Sequence, residues 1–593
     1  MVEQSSSGEQ TMRRSILFAM ALAMVQSMTG GASADRAPAA FDRSAFYTQD
    51  QGSRLIPLKW MMALKQPGSS QPFMADNLSR YGYLKNDATP GATLPVGFTT
   101  NRDGQGNEYL GMTCAACHTR EIQVNGAPIR IDGGPAIVVF QSLMADLDIS
   151  VGGLLKDQPG FDAFAASVLG GTPTPAQMTA LKADVQAWFT PYHTIVQCAL
   201  PQQTDPTVKC ADPSAAQAWG PSRLDAVAMI FDRVAGLDIG KPPNHIIQAN
   251  IGRANAPTRY PFLWNAGRQN KTQWPGFAPN GTPTTAVIRN VGEVLGVFGR
   301  FYPTQEISGF ASYKDNSVNM DGLLKLETLI DSLTPPAFRW PVDKVLAQKG
   351  AEIYKWSVDQ GSGCESCHGV QLVDPMLPAS LWKTPILNVG TDTAEWQVLG
   401  RSVNTGVLAG SRMPLFTAPL ANPALASSAL GNAVLGIMAD HIGEIAIYDL
   451  DHSTLGTGSN SVLTKTVDIG TEIASSLRQP KTPPGSYESR VMHGIWAAAP
   501  YLHNGSVPTL ADLLKPAQDR PTSFKIGPNY DPTGDVGLAK DQTKFDFTLQ
   551  TGCVASTDPK AKALYGNTNC GHEFGTNLTA DQKRALLEYL KTL

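Results

Sequence analysis

Two five-residue stretches constrain this chain more than anything else in it: Cys114-Ala115-Ala116-Cys117-His118 and Cys364-Glu365-Ser366-Cys367-His368. Two thiols three positions apart, followed at once by an imidazole, can take up both vinyl groups of a haem and ligate its iron. Half of a zinc site has the same appearance, but a zinc site draws its remaining ligands from a second pair nearby. Here the two motifs stand 250 residues apart. The pair therefore predicts two covalently bound c-type haems. Cys114, Cys117, Cys364 and Cys367 are the expected attachment points, and His118 and His368 the expected iron ligands.

At 593 residues the chain is long enough for two or more domains with substantial cores. A hydrophobic content of 42% suits a globular protein, and a net charge of −4 leaves no basic excess for nucleic acid. The 55 Gly and 43 Pro point to much loop. The expected fold is mainly α with extensive loops: two cytochrome c-like haem domains, with a large loop-rich insertion in the first. The expected boundaries are 1–34 for an export signal, 35–334 for the N-terminal haem domain and 335–593 for the C-terminal one. The linker between them is Pro335-Pro336-Ala337-Phe338-Arg339-Trp340-Pro341.

The export signal is read from Arg13 and Arg14, the apolar run Ile16 to Val25 and the small residues Ala32-Ser33-Ala34. Polar residues before Met12 are unusual for such a signal, and Met12 is an alternative start. The apolar run is too short to span a bilayer as a helix, so no integral membrane segment is expected in the mature chain. A periplasmic or secreted location follows, and it accounts for the other four cysteines. Cys198 with Cys210 and Cys553 with Cys570 are the natural disulfides in an oxidising compartment, each contributing on the order of 3 kcal/mol.

Along the chain, residues 35 to 110 read as a wrap leading into the first motif. Glu121 to Ile131 alternates like a strand and turns at Asp132-Gly133-Gly134-Pro135; Ile137 to Leu147 and Arg223 to Val234 have helical spacing. Residues 148 to 220 are variable in character, with a Gly-Gly-Thr-Pro-Thr-Pro turn cluster near 170. Tyr260 to Phe301 is the most aromatic stretch, including Trp274 and Phe298. Val342 to Trp356 is an expected helix in which Gly350 allows close approach to a second. The C-terminus supplies a candidate for that second helix, where Thr579 and Gln582 form a capping box and Leu586, Leu587, Leu590 and Leu593 line one face.

Whether a protein side chain fills the sixth position of each iron decides between electron transfer and chemistry. No histidine lies between His118 and His193, so the first haem is the expected open centre. For the second haem, Met413, His503 and His572 are the candidates. His572 is favoured because the expected disulfide and the C-terminal helix fix its position.

The segment Gly494-Ile495-Trp496-Ala497-Ala498-Ala499-Pro500-Tyr501-Leu502-His503-Asn504-Gly505-Ser506-Val507-Pro508-Thr509-Leu510 resembles a signature of the bacterial di-haem cytochrome c peroxidase superfamily. With Arg289 to Gly299 (Arg-Asn-Val-Gly-Glu-Val-Leu-Gly-Val-Phe-Gly) and the Cys-Gly-His-Glu-Phe end, the chain most resembles the rubber oxygenase and di-haem fatty-acid dioxygenase subgroup, over roughly residues 90 to 593. This resemblance implies a dioxygen-binding N-terminal haem on His118 and a low-spin C-terminal haem held by His368 and His572. It also implies Trp274 near the active haem, with Phe298 in a matching segment, and by analogy a calcium ion between the haem domains, although no dedicated loop for it is visible. The spacing between motifs exceeds that of the rubber-cleaving members, which weighs against polyisoprene.

Three functions are expected in order. The first is a dioxygenase acting on an apolar alkene, an isoprenoid small molecule or polymer or an unsaturated fatty acid. The second is a peroxidase reducing hydrogen peroxide with electrons from a small redox donor protein, for which Glu293 or Glu444 is the candidate acid or base. The third is an electron-transfer cytochrome.

Overall fold

The computed structural model describes residues 40–201, 205–212, 217–306, 309–375, 381–412, 419–441, 443–445, 483–545, 547–553 and 565–593. The expected export signal, Met413 and His452 lie outside the described residues. Helix accounts for 38% of the chain and strand for 14%, so the expectation of a mainly α fold is corrected. Frequent glycine and proline stop helices before they lengthen. Neighbouring loop segments then satisfy one another's main-chain groups in short antiparallel ladders. Among the described residues these are one three-stranded sheet, with Glu108–Met112 between Ile56–Pro57 and Phe98–Arg102, and a set of two-stranded pairs.

The three-stranded sheet delivers the first motif. Its central strand ends at Met112, and a single turn over Cys114–Ala116 follows. Gly97, at φ 76°, passes so close that a Cβ there would lie 2.0 Å from the Ala116 nitrogen. Beyond His118 the alternating stretch is a hairpin, Thr119–Val124 paired with Ala127–Asp132. Asn125 and Gly126 supply the two positive φ values, 50° and 77°, that such a tight turn needs.

The helix expected from Ile137 starts at Phe140 and runs to Lys156. The stretch called variable contains two more, Gln158–Leu169 and the 25-residue Pro175–Ala199. The Thr-Pro turn cluster is in fact the start of the latter: Thr174 caps it in a box with Gln177, and Pro175 occupies the first turn, where its missing N–H costs nothing. The disulfide Cys198–Cys210 staples its end, and Cys553–Cys570 forms as expected. Arg223 to Val234 divides into a two-residue strand, Arg223–Leu224, and the helix Ala226–Arg233 capped by Asp225.

Two terminal helices close the second motif's surroundings. Lys344–Lys355 packs on Ala580–Leu590, which begins with the expected Thr579–Gln582 capping box and buries Leu586 and Leu590. A hydrophobic cluster joins both halves of the chain, with Phe46, Ile122 and Val291 in contact with a set that includes Trp496 and Leu586. At the helix crossing, a Cβ on Gly350 would lie 2.0 Å from the Ala585 carbonyl oxygen. Alanine is the better helix former by about 1 kcal/mol, so in an open helix Gly350→Ala would stabilise. Here it is expected to destabilise by about 1–3 kcal/mol, read as a lowered midpoint in denaturant unfolding.

Candidate functional site

Each Cys-x-x-Cys-His motif opens on its own cavity. Cys114, Cys117 and His118 line one, and Cys364, Cys367 and His368 line another. None of these four cysteines takes part in a disulfide, Cys198–Cys210 and Cys553–Cys570 using the others. Both histidines are anchored through the same ring atom. His118 Nδ1 donates to the Pro261 carbonyl at 2.8 Å, and His368 Nδ1 donates to the Arg490 carbonyl at 2.7 Å. In each the other ring nitrogen is left as the metal-binding atom. Burial pushes His118 down to about 4 and lowers His368, so both stay neutral, the form a ligand needs. Free thiol pairs, neutral oriented imidazoles and roomy cavities fit a haem at each motif.

The three residues expected to be catalytic meet in the His118 cavity, where Trp274, Glu293 and Phe298 all form part of the wall. Trp274 sits in the loop between Lys271–Thr272 and Ala278–Pro279. Its carbonyl accepts from Glu488 N at 2.7 Å and its indole donates to the Arg259 carbonyl at 3.0 Å. Glu293 lies in the helix Pro283–Gly296, where Gln273 donates to its Oε1 at 2.7 Å. Burial raises its carboxyl above the ordinary range against the opposing pull of Arg289. Phe298, just past that helix, is held at φ 69° with only 4% of its surface exposed. Glu444 pairs with His441 at 3.1 Å and lines neither cavity.

His503 and His572 both line the His368 cavity. The His572 ring centre lies 6.0 Å from that of His368. Its main chain is fixed by His572 N donating to Val389 O at 2.7 Å, and by Arg520, whose guanidinium donates to the carbonyls of Asn569, Gly571 and His572. Burial, then the neighbouring His368, then Arg520 push His572 down to about 3. The His503 ring instead stacks on Tyr487 at 3.8 Å with Nε2 3.1 Å from Asp392. The remaining described histidines lie elsewhere: His193 between Asp148 and Asp205, His245 stacked on Tyr302, and His493 against Trp382. Among the described residues no group of three or more His, Cys, Asp or Glu side chains is gathered for a metal ion such as calcium.

Sequence reasoning missed the arginines of the site. Arg259 and Arg490 line both cavities, as does Trp274. Arg490 is 6% exposed and its Nε lies 3.0 Å from Glu488. One signal was available: residues two apart in an extended segment share a face, so Glu488 and Arg490 are a ready pair. Glu395, 2% exposed and also on the His118 cavity, carried no such signal.

Residues 486–525, which contribute Tyr487 to Leu514 of the His368 cavity wall, match the family model described as RoxA-like, cytochrome c-like. The chain is 28% identical over 620 residues to the uncharacterized protein y4iJ of Sinorhizobium fredii, covering 93% of this chain and 91% of that protein. It is 25% identical over 354 residues to the uncharacterized protein y4iM of the same organism, covering 56% and 64% respectively. Over residues 486–525 the chain is thus similar to a RoxA-like, cytochrome c-like domain, and at that coarse level it resembles haem-binding c-type oxidoreductases.

Proposed function

We propose that the chain is a di-haem c-type oxidoreductase acting in the periplasm or outside the cell, and that it inserts dioxygen into an apolar alkene such as an isoprenoid or an unsaturated fatty acid. The supporting observation is the His118 cavity. Among its described lining residues His118 is the only imidazole, and Phe140, Leu224, Ile230, Val297, Phe298 and Ile330 give it a broad apolar wall. A haem bound there supplies the centre at which dioxygen is activated. Phe298 and its apolar neighbours exclude water and hold a hydrocarbon chain. Trp274 stands between this cavity and the next.

In this reading residues 35–334 carry the active haem and 335–593 the electron-transfer haem, held by His368 and His572. Both imidazoles line the same cavity and both are kept neutral by burial, the state in which they would hold an iron and let it cycle between oxidation states. Their ring centres stand 6.0 Å apart, and this proximity supports the pairing. Around the second motif, Val358, Val370, Leu372, Val373 and Leu387 are exposed, an apolar rim suited to a small redox donor protein.

Peroxide reduction is the second reading, favoured by Glu293, whose raised carboxyl can hold a proton at the cavity wall. Electron transfer alone is the third, favoured by the Met229 thioether in the same wall.

Oxygen uptake by the purified protein is expected to rise on addition of oleate or polyisoprene. Peroxide turnover with a reduced donor and no alkene-dependent uptake would favour the peroxidase instead, and two low-spin haems inert to added ligands would reject both enzymes. Haem content should fall from two per chain to one in the Cys114→Ser/Cys117→Ser variant and likewise in the Cys364→Ser/Cys367→Ser variant. His572→Ala is expected to convert the second haem from low to high spin, whereas His503→Ala leaves that haem low-spin.

A further inference from the structure

A single residue stands behind both motif histidines. The Arg490 carbonyl accepts from His368 Nδ1 at 2.7 Å. Its guanidinium donates to the Phe262 carbonyl and lies 4.9 Å from the centre of the Phe262 ring. The residue before Phe262 is Pro261, whose carbonyl accepts from His118 Nδ1 at 2.8 Å. From one imidazole to the other the route therefore runs through two ring-to-carbonyl hydrogen bonds, one peptide unit, one guanidinium bond and the covalent frame of Arg490.

We propose that Arg490 is a positioning residue that couples the two haem centres, its main chain orienting His368 and its side chain orienting, through Pro261–Phe262, the acceptor of His118. This rests on the reading of His118 and His368 as the iron ligands. The bond from Nδ1–H to its acceptor tunes how strongly an imidazole donates to a metal. A change of charge or ligation at one iron alters the pull on that bond. Pro261 is held in a peptide that Arg490 grips and His368 is held by Arg490 itself, so the change is carried to the other centre. Such coupling is reciprocal by thermodynamic necessity. Glu488, with its carboxylate 3.0 Å from Arg490 Nε, balances the buried charge of the fork.

The test uses the holoprotein, with carbon monoxide as the ligand at the open ferrous haem and potentiometric titration of the low-spin haem. In the wild type, carbon monoxide is expected to shift the midpoint potential of the low-spin haem. In Arg490→Met, which keeps the main-chain carbonyl and the apolar stem, that shift should fall by at least half while the low-spin spectrum of one haem, carbon monoxide binding at the other and two haems per chain remain. Arg490→Lys, which keeps the charge but not the fork, should show a reduced shift as well and serves if the methionine variant does not fold. An undiminished shift in the variants, or no shift in a wild type that holds two haems and binds carbon monoxide, overturns the proposal. A wild type lacking two haems or an open centre would instead reject the underlying reading.

Discussion

Buried arginines bonded to main-chain carbonyls hold this structure together. A core built largely from loops contains many carbonyl groups that no helix or sheet ladder satisfies, and leaving them unpaired in an apolar interior costs about 1–3 kcal/mol each. Guanidinium groups answer that need, because one planar fork carries five donors. Arg120, wholly buried, donates to the carbonyls of Ala497 and Ala499; Arg259 donates to those of Ala498 and Leu502; Arg223 donates to that of Asn504. All three come from the first half of the chain, and the carbonyls they hold belong to one segment of the second half. Burial pushes Arg120 down to about 10 and Arg223 and Arg259 down to about 9, still well above neutral pH. The same device recurs at the end of the helix Pro175–Ala199, where Arg253 donates to three carbonyls, and behind His572, where Arg520 does so.

The site inherits its geometry from these contacts. Segment 494–510 runs along the His368 cavity, and its fixed carbonyls leave Tyr501, Leu502 and His503 on that wall. Arg259 holds that segment and lies 4.9 Å from the Trp274 ring centre, so the wall between the cavities is set by the residue that joins the halves. Removing a side chain such as Arg259 would therefore disturb both pockets at once, whereas truncating an apolar neighbour would disturb one.

What could be read in advance follows from how local the physics is. The thiol–imidazole motifs, the Thr579 cap, the close approach at Gly350 and both disulfides depend on residues near in sequence or on chemistry that only one arrangement satisfies. Trp274, Glu293 and Phe298, far apart in kind and loosely signalled in the sequence, line one cavity, whereas Glu444 lines neither. The helix Pro175–Ala199 was hidden because Thr-Pro at its start reads equally as a turn, and the hairpin at Asn125–Gly126 because its alternation continues across the turn. The mainly α expectation failed because short ladders such as Arg223–Leu224 with Thr258–Arg259 have no periodicity of their own. Arg259 and Arg490 escaped notice because their partners are main-chain carbonyls, which every residue possesses.

The disulfide between Cys553 and Cys570 ends two residues before His572, and it sets a sorting problem for biosynthesis. Eight thiols emerge from one chain. Four are oxidised across separations of 12 and 17 residues, while four others, in pairs three residues apart, would in the proposed di-haem reading have to stay reduced until they react with a porphyrin. A wrong pairing of Cys570 with a motif thiol would both block that motif and misplace His572. On that reading, maturation of the second centre is tied to the fidelity of thiol oxidation, with Cys570 as the thiol on which both the disulfide and the placing of His572 depend.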